Sequence, residues 1–147
     1  GGVIVMQTGD NQASLSEIGT KINAKISSEL LLTIFYPGTP LHDGAVVIQD
    51  DLILSAGVVL PTTKDPQLSW RYGTRHRAAI GITEISDCYS VVVSEETGDI
   101  SVAIDGILRK YDDITIFKED LEKLISVDNN DKIDNAFMTN ILKLRKK

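Results

Sequence analysis

Gly73-Thr74-Arg75-His76-Arg77-Ala78-Ala79-Ile80-Gly81-Ile82-Thr83-Glu84-Ile85 is followed, three residues on, by Tyr89-Ser90-Val91-Val92-Val93. The change of pattern between these two runs decides the fold class. In the first, Ala78, Ala79, Ile82 and Ile85 recur at helical spacing, so one face is apolar and the other is not. In the second, a short β-branched run without alternation reads as a strand buried on both faces. A helix that feeds a buried strand implies a sheet covered by helices.

Working outward, the two signals keep alternating. Toward the C-terminus, Ser94 to Asp99 reads as a turn and Ile100 to Ile104 as a strand, and Asp105-Gly106 is a two-residue hairpin signal before Ile107 to Tyr111. Ile114 to Ile125 includes a helix with Leu121, Leu124 and Ile125 on its inner face. Asp128 to Asp131 is a polar linker. The last amphipathic segment ends in Lys143-Leu144-Arg145-Lys146-Lys147, which reads as a solvated basic helix end.

Toward the N-terminus, Pro61 to Gln67 is a loop, and Leu52 to Leu60 pairs with Ala45 to Ile48 as a hairpin through Gln49-Asp50-Asp51. Thr39 to Gly44 is turn-rich. Ser27 caps a short buried helix over Leu30 to Phe35, stopped by Pro37-Gly38. The residues between Thr8-Gly9-Asp10 and that cap read as a connection with one short turn of helix, and Val3 to Met6 as a buried strand. The expected architecture is α/β, a single domain with a mixed central β-sheet flanked by helices. The folded unit is expected over 1–125 and a polar linker with a basic helical tail over 126–147.

Composition sets limits on function. At 147 residues, 42% hydrophobic and 24% charged, the chain can bury a full core. A formal net charge of −6 argues against coating nucleic acid, so an anionic ligand must be drawn by a local cationic cluster. The one cysteine, Cys88, rules out an intrachain disulfide framework and a cysteine zinc site. It reads as a half-buried thiol in a reducing cytoplasm. No apolar run approaches the roughly 18 residues that span a bilayer. The chain opens on Gly1-Gly2 without a methionine and reads as a piece of a longer protein.

Three polar clusters break the apolar pattern where loops meet regular elements, the places where α/β sheets put ligands. At Thr74-Arg75-His76-Arg77, Thr74 reads as an N-cap, and free backbone N–H groups with two arginines suit phosphate oxygens. Helix starts favour acids over bases, so a cationic start without a bound anion would oppose the dipole. At His42-Asp43-Gly44, Asp43 is either a general base or metal ligand, or a turn residue bonding its own backbone; on the triplet alone the turn is the stronger reading. His42 beside it is structural or completes a metal site. Glu95 in Ser94-Glu95-Glu96-Thr97-Gly98 is part of a β-turn or supplies one ligand to a hard cation. No Gly-rich phosphate loop or kinase motif set is present.

Together, Leu41-His42-Asp43-Gly44-Ala45, Gly73-Thr74-Arg75-His76-Arg77-Ala78-Ala79 and Ser94-Glu95-Glu96-Thr97-Gly98 resemble the diadenylate cyclase domain, whose signatures are the Asp-Gly-Ala and Arg-His-Arg motifs. The resemblance covers Gly2 to Leu121. Lys21 to Pro40 is most similar to the membrane-anchored class, and nothing resembles the DNA-binding region of the DNA-scanning class. It implies condensation of two ATP to cyclic di-AMP with two pyrophosphates released, supported by Mg2+ or Mn2+. It implies that Asp43 binds metal and activates the ribose hydroxyl, with His42 and Glu95 as further metal ligands. Gly44 and Ala45 would pack near the nucleotide, and Gly73, Thr74, Arg75, His76, Arg77 and Ser94 would surround the phosphates. Leu60 and Tyr72 are the candidates for the adenine pocket. Two equivalent phosphodiester links require two facing ATP molecules, hence a homodimer. The expected setting is the cytoplasmic domain of a plasma-membrane protein, anchored by an upstream segment and open to regulatory protein partners, with no nucleic-acid partner. The competing reading is a catalytically silent sensor of ATP or a cyclic dinucleotide.

Overall fold

The computed structural model describes residues 1–7, 18–69 and 71–128. Its elements in chain order are β1 (Gly2–Gln7), β2 (Thr20–Lys25), α1 (Ser28–Ile34), β3 (Ala45–Gln49), β4 (Leu52–Val58), α2 (Pro66–Ser69), α3 (Thr74–Ile85), β5 (Cys88–Val93), β6 (Ile100–Ile104), β7 (Ile107–Tyr111) and α4 (Ile114–Asp128). The strands form one sheet in the order β2-β4-β3-β1-β5-β6-β7. β1 lies at its centre, parallel to β3 and antiparallel to β5. The remaining pairs are antiparallel, so the sheet is mixed, as expected.

Every residue of β1 is buried, because both faces of the sheet are covered. Its alternate side chains go to two separate cores. Ile4 and Met6 pack with Val46, Ile48, Leu31, Phe117 and Leu121 under α1 and α4. Val3 and Val5 pack with Val47, Val92, Ala79, Ile80 and Ile82 under α3. Period-two alternation through the apolar run Val3 to Met6 is what lets one segment serve both layers.

Ser27 caps α1 as expected, its side chain accepting from the Leu30 amide at 3.1 Å. Four expectations change. β2 forms within the stretch read as a connection. It is an edge strand, and its alternation is broken where Asn23 takes a left-handed φ of 51° and the register with β4 shifts between Lys21 and Ala24. A short α2 interrupts the connection read as loop. Phe117, fully buried, anchors α4 beside Leu121. α4 also runs to Asp128, past the segment Ile114 to Ile125 in which a helix was expected. The expected basic tail lies outside the described residues.

The placement of α3 depends on Gly81. A Cβ there would stand 2.2 Å from the Pro61 carbonyl oxygen and 2.8 Å from the Thr63 amide nitrogen. The helix therefore meets the backbone of the β4–α2 connection directly. The Thr63 amide donates to the Arg77 carbonyl at 2.9 Å, and the Thr63 hydroxyl to Glu84 Oε2 at 3.2 Å. These contacts set where the N-terminus of α3 opens.

Candidate functional site

That N-terminus opens into a cleft of about 690 Å³. Its walls are the entry to β3 (Asp43, Gly44, Ala45), the end of β4 with the residues just beyond it (Val58, Val59, Leu60, Thr62), the start of α3, and the β5–β6 turn with Ser94, Glu95 and Glu96. Gly44 makes the first wall possible. Its φ is +104°, and a Cβ would stand 2.7 Å from the carbonyl carbon of Gly57 and 2.9 Å from Val58 backbone atoms. Only glycine takes that conformation without strain and fits against β4. Asp43 is thereby carried to the rim with its side chain 86% exposed.

Gly73, not Thr74, is the N-cap of α3, and no side chain caps it. Thr74 is instead the first helical residue. The first backbone bond of the helix runs from the Arg77 amide to the Gly73 carbonyl at 3.1 Å, so the amides of Thr74, Arg75 and His76 precede it. All three residues line the cleft. A bare helix start of this kind offers N–H donors and a positive dipole end to an anion.

Arg75 and His76 add to it in different ways. Arg75 donates to Glu95 Oε2 at 2.5 Å. That hydrogen bond, and then the charge of Arg75, holds the Glu95 carboxyl below its ordinary range. The pair separates the cleft from a smaller hollow of about 410 Å³ where His42, Tyr36 and Phe35 lie. Burial first, and the neighbouring Arg75 second, push His76 below its usual value. Arg77, the other arginine of the motif, is not among the cleft residues. Its carbonyl receives the Thr63 amide, and its Nε is buried with no hydrogen-bond partner among the described residues. Tyr72 is not a wall residue either; its ring stacks on His76. Leu60 and Ser94 do line the cleft, although the Ser94 hydroxyl also accepts the Thr97 amide at 3.3 Å, as a turn residue would.

Sequence reasoning did not single out Val3, Val58, Val59, Thr62, Ala78 and Glu96, which also form walls. Val59 is 80% exposed just past the end of β4, but it fell inside the strand expected over Leu52 to Leu60, so nothing in the sequence marked it. Val3 and Ala78 reach the cleft only through packing.

A divalent cation fits part of this donor set. Among the described residues no three His, Cys, Asp or Glu side chains converge. His42 Nδ1 lies 2.7 Å from the Thr39 carbonyl, to which it donates, so in the neutral ring Nε2 carries the lone pair. That Nε2 is 3.4 Å from Asp43 Oδ1. A cation between them could take one ligand from each side chain. A hard cation that takes most of its ligands from phosphate oxygens needs few from the protein, which suits this pair. Glu95 would have to leave Arg75 to join it. In sum, the cleft has an anion-binding end, an apolar wall of Val58, Val59 and Leu60, and a carboxylate at the rim.

The chain is similar to several known proteins. Over 137 residues the chain is 42% identical to the cyclic di-AMP synthase CdaA of Bacillus subtilis, covering 93% of this chain and 50% of that one. Over 112 residues it is 50% identical to a diadenylate cyclase of Listeria monocytogenes, covering 76% of this chain and 41% of that one. The chain thus spans half or less of the length of these relatives. A crystal structure of a double mutant of DacA from Staphylococcus aureus superposes with a TM-score of 0.78 at 46% identity, covering 83% of this chain and 81% of that one. Among the described residues no helix is long and apolar enough to cross a membrane. Residues 1–108, which contain every wall of the cleft, match the model of one family, and the chain accordingly belongs to it: DAC, the DisA bacterial checkpoint controller nucleotide-binding domains.

Proposed function

We propose that the chain is the catalytic domain of a diadenylate cyclase, which joins two ATP molecules into cyclic di-AMP and releases two pyrophosphates. The observation that carries this reading is the arrangement of one cleft, with Asp43 on one wall and the uncapped start of α3 with Arg75 and His76 on another. In this reading the triphosphate lies at the helix start, with Ser94 beside it and Gly44 and Ala45 against the nucleotide. The adenine rests on Val59 and Leu60. Arg77 braces the helix against Thr63 from behind.

The 3′-hydroxyl oxygen of each ATP forms a new bond to the α-phosphorus of the other. The bond from that phosphorus to the bridging oxygen breaks, and pyrophosphate leaves with the electron pair. Asp43 takes the hydroxyl proton. Such a reaction gains mainly from in-line positioning and from charges placed where charge builds up. Asp43 and His42, with Glu95 as a further candidate, would hold a Mg2+ or Mn2+ ion, which would supply charge neutralisation at the phosphate oxygens. Two ATP molecules must face each other, so the active form is a two-fold homodimer, and an enforced monomer should bind ATP yet turn over almost none. We also place the domain at the cytoplasmic face of a membrane, held by an upstream segment, in line with its likeness to the membrane-anchored class.

The test is incubation with ATP and manganese, with the products identified by mass. Cyclic di-AMP supports the reading. Bound but unchanged ATP would favour a silent sensor, and AMP or ADP alone would favour a hydrolase. Asp43→Asn should lower cyclic product by roughly a hundredfold or more, the scale of a lost general base. Because Asp43 is so exposed, folding stability should stay within about 0.5 kcal/mol.

A further inference from the structure

Tyr72 is not a wall of the cleft, but it stacks on one wall residue, His76. Its ring lies 5.9 Å from that of His76, centroid to centroid, with the planes 19° apart. The Arg71 guanidinium is 5.5 Å from the centroid of the same tyrosine ring, within cation–π reach. Tyr72 is well held. Its amide donates to the Leu68 carbonyl at 3.2 Å, and Tyr72, like Leu68, packs against the core beneath α3. His76 is held less well. It sits in the first turn of α3, and among the described residues no hydrogen bond fixes its ring, whose second torsion is intrinsically broad. The stack on Tyr72 is the ring contact that the imidazole makes among the described residues.

We propose that Tyr72 is a positioning residue for His76: the stacked ring holds the imidazole so that one of its nitrogens donates a hydrogen bond to a phosphate oxygen of the bound nucleotide. This rests on the nucleotide reading above. The motif then divides its work. Arg75 contributes charge, shared in the free protein with Glu95, whereas His76 contributes a directed donor. Burial and Arg75 together favour the uncharged ring, so its contribution depends on orientation more than on charge. Asp43, Glu95 and Glu96 share the cleft with it. The α2 segment, through Leu68 and Tyr72, thereby acts on a substrate it does not touch.

The test compares Tyr72→Phe, Tyr72→Leu, His76→Ala and the Tyr72→Leu/His76→Ala double variant. Calorimetric ATP affinity, the melting temperature and the NMR signals of the His76 ring are measured for each. Tyr72→Phe keeps the stack and should bind within about twofold of the parent, because the hydroxyl has no part in the stack. Tyr72→Leu keeps apolar packing but frees the imidazole, and should lose roughly tenfold in affinity, the scale of one misdirected hydrogen bond to a charged group. The His76 ring signals should shift in Tyr72→Leu and not in Tyr72→Phe. In the His76→Ala background, Tyr72→Leu should cost little more. Parent-like binding by Tyr72→Leu would overturn the proposal. So would an equal loss with and without His76, which would mark Tyr72 as merely structural. Because ATP binding and the ring signals do not require turnover, a protein that binds ATP in this pattern but forms no cyclic product would refute the cyclase reading alone. A parent protein that binds no ATP would refute both.

Discussion

Gly81→Ala sets two effects against each other. Helix propensity favours alanine by roughly 1 kcal/mol, and the unfolded chain also loses freedom, so at an open helical position the change would stabilise. Here the new Cβ would lie 2.2 Å from the Pro61 carbonyl oxygen, 2.7 Å from the Thr62 carbonyl carbon and 2.8 Å from the Thr63 nitrogen. Ordinary contact begins about 1 Å farther out, and all three atoms are backbone, so no rotamer change relieves the overlap. Helix and connection must separate by roughly 1 Å. Overpacking of this kind costs about 1–3 kcal/mol and occasionally more, and loss of the Thr63–Arg77 backbone bond adds about 1 kcal/mol. The net expectation is destabilisation by about 1–3 kcal/mol, or roughly 2–12 °C in melting temperature for a domain of this size. The same displacement moves the start of α3 relative to Asp43, so under the proposed cyclase function cyclic product should fall further than stability does, by up to roughly a hundredfold. Thermal and urea melts with a product assay on the folded fraction would measure both. A variant as stable as the parent would refute the direct helix-to-backbone contact on which the geometry of the cleft depends.

Three further perturbations test the site and the core. Gly73 has an ordinary φ of −73°, and a Cβ there would meet nothing within 4 Å. Gly73→Ser should therefore raise stability by a few tenths of a kcal/mol through capping while, under the proposed function, weakening ATP binding about tenfold, since the hydroxyl would occupy the amides assigned to the phosphates. Melting and calorimetry should move in opposite directions. The two shifted groups of the site make stability depend on pH. His76 is held below 6.5 when folded, so its contribution is complete above that value and falls as pH drops toward the folded one. Glu95 is held below 4.5, so the Arg75 pair contributes fully above 4.5 and is lost as pH falls through the lower folded value. In urea melts over pH, His76→Gln should remove the first decline and Glu95→Gln the second. Finally, the Cys88 thiol is buried and pushed up to about 12 by that burial and by Asp87. Alkylation at neutral pH should proceed only at the rate of unfolding, and rapid labelling of the native protein would contradict the buried placement.

The sequence by itself determined much of this protein, wherever the controlling physics is local. Unbroken β-branched runs marked β1 and β5, an Asp-Gly pair marked the β6–β7 turn, and Ser27 marked the start of α1. Three polar clusters at element boundaries marked most of the cleft, because chemistry-bearing residues stand out against an apolar pattern. Tertiary structure decided the rest. β2 was hidden because a bulge at Asn23 breaks the alternation and its other support comes from pairing with β4. Val3 and Thr62 reach the cleft only because β1 lies at the centre of the sheet and the connection after β4 lies under α3. Arg75 and Arg77 look equivalent in the chain, yet one meets Glu95 across the cleft and the other receives Thr63 behind the helix. Gly81 reads as an unremarkable helical glycine until the Pro61 carbonyl is placed against it. In each case the deciding partner is distant in sequence, and only the folded backbone brings it within contact.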